Sequence, residues 1–250
     1  MKASDSEWMS ISDMMSGLMM IFMFIAISFM IQVQNDKDKV EESNKKLKVL
    51  MQEAEKAKKR IKNIAITYNK DKTELNEDLH QEFSKNLNKW EAEITQDNII
   101  VFHSPTVLFD NGEALLKKDF QAILDDFFPR YIKILASDKY QNEIDEIRIE
   151  GHTSNSWSQK ISSDDIYLNN MTLSQSRANN VLSYCYTIDN ITINQNKKWL
   201  EKHFRANGMA FSKLKFMNDT NTPDDNKSRR VEFKVQMKTE EKIYKILEAS

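Results

Sequence analysis

The chain has 250 residues, enough for one or two domains with a buried core. Its 36 basic residues stand against 38 acidic ones for a formal net charge of −2, so no basic footprint for nucleic acid is present and no DNA or RNA contact is expected. The single cysteine, Cys185, cannot close an intramolecular disulfide, which excludes a stapled secreted scaffold.

The N-terminal region is dominated by one apolar run. No residue from Met14 to Val33 is charged, and the stretch LMMIFMFIAISFMI is almost wholly hydrophobic. At 1.5 Å rise per residue this run spans a hydrocarbon core of roughly 30 Å. We read residues 8–33 as one transmembrane helix. A buried core helix or a cleaved signal peptide are the alternatives. A signal peptide calls for a basic start, a shorter apolar region and a small-residue cleavage site. Here Lys2 is set against Asp5 and Glu7, and Gln32-Val33-Gln34 ends the run, so an uncleaved anchor is expected. Basic residues are scarce before the run and common after it, and that count alone would place the following segment in the cytoplasm.

Asp13 stands at the edge of the apolar stretch. A carboxylate costs about 2.5–3.5 kcal/mol at the centre of a membrane helix and less near an end, so an acid there normally faces a partner, water or an ion path. Removal from water favours the neutral form of a carboxyl group, which suits it to carry a proton. One reading makes Asp13 an ion-translocating group. The other makes it the N-cap of the helix, a role that suits aspartate. Ser12, Ser16 and Gly17 would permit close helix packing and leave a hydroxyl beside the path. No cage of oxygen ligands surrounds Asp13 in the sequence, so a proton is expected and sodium is less favoured.

Residues 34–96 read as a charged helical linker. Val40, Leu47, Ala54, Ile61 and Tyr68 recur every seven residues, with Leu50, Ala57 and Ile64 at the complementary position. This is the seam of a coiled coil of about four heptads, which predicts a parallel homodimer; a single solvated helix is the alternative. Leu75, Leu79, Phe83, Leu87 and Trp90 form a second periodic set, suggesting that the helix resumes after NKDK and leads into the next domain.

The remainder has the pattern of a mixed α/β domain. NIIVFHSP and IDEIRIEGH are strand-like, and RRVEFKVQM alternates Val231, Phe233, Val235 and Met237 on one face. Helical patterns run from Glu113 to about Leu135, from Leu173 to Tyr186, and from Lys197 to His203. Strands separated by helices predict one sheet with helices on a face. Residues 239–250 read as a tail.

IRIEGHTS, LNNMTLSQSRANNVLSY and DDNKSRRVEFKV, preceded by VLFDNGEALL, resemble in order the motifs of OmpA-like peptidoglycan-binding domains over roughly residues 97–238. ISDMMSGLMMIFMFIAIS resembles the membrane helix of MotB-like stator B subunits, in which an aspartate opens a Met- and Phe-rich helix. The combination is similar to ion-driven stator B subunits, and the long heptad linker without a basic N-terminal segment looks most like the branch found in Zorya anti-phage systems. The resemblance implies an α+β chain: a single transmembrane helix, a helical coiled-coil linker and a C-terminal OmpA-like α/β sandwich. It also implies residues 1–7 in the cytoplasm, a bacterial inner-membrane location and a periplasmic C-terminal domain, against the count of basic residues. Implied partners are a second copy of the chain, a multi-helix stator A subunit of the ZorA/MotA type, and peptidoglycan. The alternatives are a flagellar motor stator B subunit and a passive envelope anchor.

By the same resemblance, Thr153, Ser154, Asn170, Leu173, Arg177 and Arg230 line a peptidoglycan site. Arg177 holds the position of an arginine that grips the carboxylate of a diaminopimelate, a task suited to a planar guanidinium. Ser154 stands where the family has an aspartate for the ammonium group. It can accept a hydrogen bond without neutralising the charge, so either wall binding is weakened or Asp164 or Asp165 takes over. For Arg177 a structural ion pair is the alternative, and His152 is expected to be a packed structural residue. No enzyme is expected and no cofactor. Four glycines leave no phosphate-binding loop, no nucleophile elbow occurs, and the histidines at 80, 103, 152 and 203 lack metal-ligand spacing with Cys185.

Overall fold

The computed structural model describes residues 4–103, 105–156, 162–217 and 221–238. The tail expected at 239–250 and the first three residues of the N-terminal segment lie outside the described residues. The chain divides into an N-terminal unit, Met1–Lys62, and a larger unit, Asn63–Lys245.

Helix α1 runs without a break from Ser4 to Trp90. Gly17 is its only glycine and it contains no proline, so nothing in the backbone chemistry stops it. In the N-terminal unit it is long and apolar enough to cross a membrane. Its large side chains there face outward, with Met14 74% and Phe24 69% exposed, a surface that fits lipid or other helices and not water. Further on, ion pairs one turn apart, Lys45–Glu41 at 2.9 Å and Lys46–Glu42 at 2.7 Å, add a few tenths of a kcal/mol each to a polar helix. Val40, Leu47 and Leu50 of the heptad stripe remain exposed in the single chain.

The helix passes through NKDK unbroken, where the sequence suggested a restart. Its final turns belong to the larger unit: Leu75, Leu79 and Phe83 are fully buried and Trp90 nearly so. The second periodic set is therefore part of a core, and packing carries the edge of the α/β domain back from residue 97 into α1.

After α1 the elements are β1 (Ala92–Ile94), β2 (Ile99–Phe102), α2 (Pro105–Leu108), α3 (Lys118–Leu135), β3 (Ile144–Gly151) and α4 (Ser163–Thr187). Then follow α5 (Ile191–Gln195), α6 (Lys197–His203), β4 (Phe204–Gly208), α7 (Asp225–Ser228) and β5 (Val231–Met237). Among the described residues, five strands form one mixed sheet in the order β1-β2-β5-β3-β4, in which β3 and β4 are the parallel pair. β5 is central, and Phe233 lies between Ile100 of β2 and Ile149 of β3. The alternation of Val231, Phe233 and Val235 buries these side chains as expected, while Met237 at the strand end is half-buried. Aromatic rings from α1 and α3 close over this face: Phe127 lies 5.1 Å from Phe233, 5.3 Å from Phe83 and 6.0 Å from Trp90 between ring centres.

Two helices differ in extent from the sequence expectation. α3 begins at Lys118 and not at Glu113, because Gly112 adopts a left-handed φ of 74° and Phe109 bridges Leu116, which ties residues 109–116 into a turn. α4 begins at Ser163, ten residues before Leu173, because Ser162 caps it. The Ser162 hydroxyl oxygen accepts from the Asp165 N–H at 3.1 Å and its O–H donates to the Asp165 carboxylate at 2.7 Å.

Candidate functional site

The site is positioned by a close crossing of α4 over the ends of β3 and β4. Gly151 and Gly208 are register partners there. A Cβ on Gly151 would stand 2.3 Å from the Ser174 carbonyl oxygen, and one on Gly208 2.6 Å from the Gln175 nitrogen. The absence of side chains lets the helix backbone rest on the strands. Side chains of α4 then fasten it: Gln175 Oε1 accepts from the Gly208 N–H at 2.7 Å, and Ser174 Oγ accepts from the Ala210 N–H at 3.0 Å. The glycine of GHTS and the LSQSRA segment are thereby brought into contact, and Arg177 follows one turn later.

Arg177 is 7% exposed. Its Nε donates to the Glu113 carbonyl at 2.7 Å and its Nη2 to the Asp110 carbonyl at 3.2 Å, and its guanidinium carbon sits 4.8 Å from the Phe109 ring centre. Nη1 has no hydrogen bond among the described residues. Burial pushes the Arg177 guanidinium down to about 10, and the neighbouring Arg229 adds to this while Glu113 opposes it. It remains charged at neutral pH, and its cation is incompletely compensated. The structural ion pair left open by the sequence is not the arrangement found, since both hydrogen bonds go to neutral backbone carbonyls.

Two cavities share Asn111, Arg177 and Arg229 in their walls. One, of about 360 Å³, is lined by Thr153, Ser154, Asn170, Leu173 and Arg177, so five of the residues singled out from the sequence meet around one space. The second, of about 170 Å³, includes Lys117, Arg177, Arg229 and Arg230. Arg230 is committed internally: Nε donates to Glu232 at 2.6 Å and Nη1 to the carbonyls of Lys213 and Ser228, each at 3.1 Å. Arg229 and Arg230 both match the last of the motifs, and where the sequence points to Arg230 for the site, Arg229 is the one that lines both cavities with Arg177. An anion entering either cavity meets both guanidiniums.

At the same cavity the Ser154 hydroxyl lies 2.8 Å from that of Ser156, which donates to the Asp225 carboxylate at 2.8 Å. Thr153 is 3% exposed, and its hydroxyl has no hydrogen-bond partner among the described residues. Asp164 and Asp165, the sequence candidates to stand in for the missing aspartate, lie in the first turn of α4, where Asp165 serves the cap.

Beneath the site, Glu150 and Glu232 are register partners on β3 and β5, an arrangement of like charges that needs compensation. His152 Nε2 stands 3.6 Å from one carboxylate oxygen of each, Lys213 lies 3.2 Å from Glu150, Arg148 lies 3.5 Å from it, and Arg230 holds Glu232. Burial pushes both carboxyls up, but the histidine and basic neighbours outweigh it and hold each down to about 2. Glu150, His152 and Glu232 are close enough to share a metal ion. Three basic side chains already neutralise the two carboxylates, so the set suits a closed charge network better than a divalent cation. His152, 1% exposed, is packed inside this network.

In the N-terminal unit, Asp13 lies about two and a half turns inside α1. An N-cap occupies the helix boundary with non-helical backbone, so Asp13 is not the cap. Ser16 and Gly17, three and four residues on, share its face, and the Ser16 hydroxyl donates to the Ser12 carbonyl at 2.8 Å.

Residues 108–230 match the model of the OmpA family. Among solved structures, the cell wall anchor of the T6SS from Pseudomonas aeruginosa is 18% identical, with a TM-score of 0.40 over 64% of this chain and 97% of that one. The periplasmic domain of Helicobacter pylori MotB is 19% identical, with a TM-score of 0.40 over 63% of this chain and 97% of its own. A much stronger likeness is to the Zorya protein ZorB of Escherichia coli strain Crooks, 42% identical over 249 residues, which covers 99% of this chain and 95% of that protein. With two chains matching from end to end at that identity, this chain belongs to the ZorB family of Zorya proteins.

Proposed function

We propose that the chain is the B subunit of a proton-driven rotary stator in the bacterial inner membrane, tied to peptidoglycan and acting in defence against phage. The observation that carries this reading is Asp13, an acid well inside a helix at the edge of its outward-facing apolar run and not at the cap. A passive tether has no use for such a group. The N-terminus lies in the cytoplasm, the α/β domain in the periplasm, and two copies of the chain pair through the heptad stripe.

A single helix cannot enclose an ion path, so a multi-helix A subunit surrounds the paired helices. Asp13 takes up a proton from one side, is neutral while in the membrane, and releases it to the other as the subunits step. The periplasmic domain holds the pair still by gripping the wall peptide, with Arg177 and Arg229 facing its carboxylate. Family membership supports the Zorya setting, and the two cationic side chains at one cavity support the anchoring role.

The test replaces Asp13 with Asn in the complete system and measures phage plating, swimming, protein level and membrane assembly. Loss of phage resistance with normal assembly upholds the reading. Loss of swimming alone would assign the chain to a flagellar motor, and no change in either would make it a passive anchor.

A further inference from the structure

We infer that Asp225, acting through Ser156 and Ser154, makes the cavity selective for a ligand that presents an ammonium group beside a carboxylate. The inference deepens the peptidoglycan reading above and rests on it. It begins with proton counting along a chain of three side chains. Ser156 has one O–H, and it is spent on the Asp225 carboxylate, which can only accept. The 2.8 Å contact between Ser156 and Ser154 must therefore use the proton of Ser154. Ser154 is left showing lone pairs and no donor toward the cavity. A neutral serine that could have donated or accepted is fixed as an acceptor by a carboxylate two side chains away.

The same cavity is lined by Arg177 and Arg229, neither of which can accept a hydrogen bond. The space thus holds two cations that only donate and a serine acceptor backed by the Asp225 carboxylate, with Arg229 four residues from Asp225 and its Nε donating to the Asp225 carbonyl at 3.2 Å. Thr153, buried there with its hydroxyl unpartnered among the described residues, adds a polar group awaiting a partner. A zwitterionic amino-acid end satisfies the arginines and the serine acceptor together; a plain dicarboxylate leaves that acceptor without a donor. Asp225 is a positioning residue, since it reaches the ligand through the serines.

The full-length chain in detergent micelles is titrated with meso-diaminopimelate and with pimelate, which keeps the carbon chain and both carboxylates but has no amine. The wild type is expected to prefer diaminopimelate by at least about tenfold. Asp225→Asn, whose amide can donate as well as accept, brings the two affinities together. Asp225→Glu restores much of the preference, and Ser154→Asp in the Asp225→Asn background restores it directly. A preference retained in Asp225→Asn, while Arg177→Lys binds neither compound, overturns the inference and leaves wall binding intact. Equal loss of both affinities in Asp225→Asn overturns it too, because that is the mark of a structural role. A wild type that binds neither compound overturns the peptidoglycan reading and the inference together.

Discussion

Gly151 and Gly208 face each other across the parallel pair β3–β4, and the backbone of α4 at Ser174 and Gln175 occupies the space where their side chains would stand. This contact ties the strand that leads into His152 and Thr153 to the helix that carries Arg177. Neither clash could be relieved by rotating a flexible side chain, because the opposing atoms are mostly backbone. Gly208→Ala should therefore lift α4 and cost about 1–3 kcal/mol. Thermal unfolding of the full-length protein in detergent should show the loss. Binding to isolated peptidoglycan sacculi should weaken as well, since Arg177 moves with the helix. An unchanged melting temperature would mean that the crossing is looser than 2.6 Å implies.

Arg177 separates anchoring from folding. Lysine in its place keeps the charge but cannot reach two carbonyls and an anion with a planar fork. Arg177→Lys is expected to lower stability by about 1–2 kcal/mol through the bonds to Glu113 and Asp110, and to weaken sacculus binding by at least about tenfold. Arg230→Lys should show the reverse weighting, with a larger stability loss, because its donors hold Glu232 and the carbonyls of Lys213 and Ser228. Co-sedimentation with sacculi beside a melting curve distinguishes the two. Equal effects on binding would place both arginines at the ligand.

Much of this arrangement was legible because it is written in local pattern. The GHTS and LSQSRA segments hold the crossing of β3 and α4, and the alternation in β5 gave its buried face. β4 was not legible: Phe204–Gly208 carries Arg205 and Asn207, and becomes a strand through parallel pairing with β3. The first ten residues of α4 are mostly exposed, Tyr167 and Leu168 included, so no buried apolar period announced them. The choice between Arg229 and Arg230 turns on which side of an extended backbone each side chain leaves, which depends on the register of β5. The link from Ser156 to Asp225 joins residues 69 positions apart, and no spacing rule reaches that far.

The glutamates beneath the site make stability depend on pH in a defined direction. Folding holds Glu150 and Glu232 down to about 2, against the ordinary 4.5. Protonating them is thus harder in the folded state, and their contribution is full above about pH 4.5 and lost as pH falls toward 2. The α/β domain should lose on the order of 2 kcal/mol per glutamate across that window. Glu232→Gln should be less stable than the wild type at pH 7, where it leaves Arg230 without its carboxylate partner and His152 with Glu150 alone, and should lose less on acidification. Melting temperatures from pH 7 to pH 2.5 test this. Parallel curves for the two proteins would remove the network as the source of acid sensitivity.

The heptad stripe gives a prediction about assembly that is independent of the wall site. Val40, Leu47 and Leu50 are exposed in the single chain, on a helix with no glycine or proline after Gly17. Apolar residues held in water at seven-residue spacing are buried at low entropic cost when two helices align in parallel, and equivalent positions then face each other across the seam. The only native cysteine, Cys185, is fully buried and will not compete in a cross-linking experiment. Leu47→Cys should form a disulfide-linked dimer rapidly in isolated membranes under mild oxidation. Lys48→Cys, one residue along and about 100° around the helix, should cross-link far more slowly. Leu47→Asp should prevent pairing, and with it the stator function proposed for the chain. Equal cross-linking at 47 and 48 would show collision without a seam, and the stripe would then be the face of a single solvated helix.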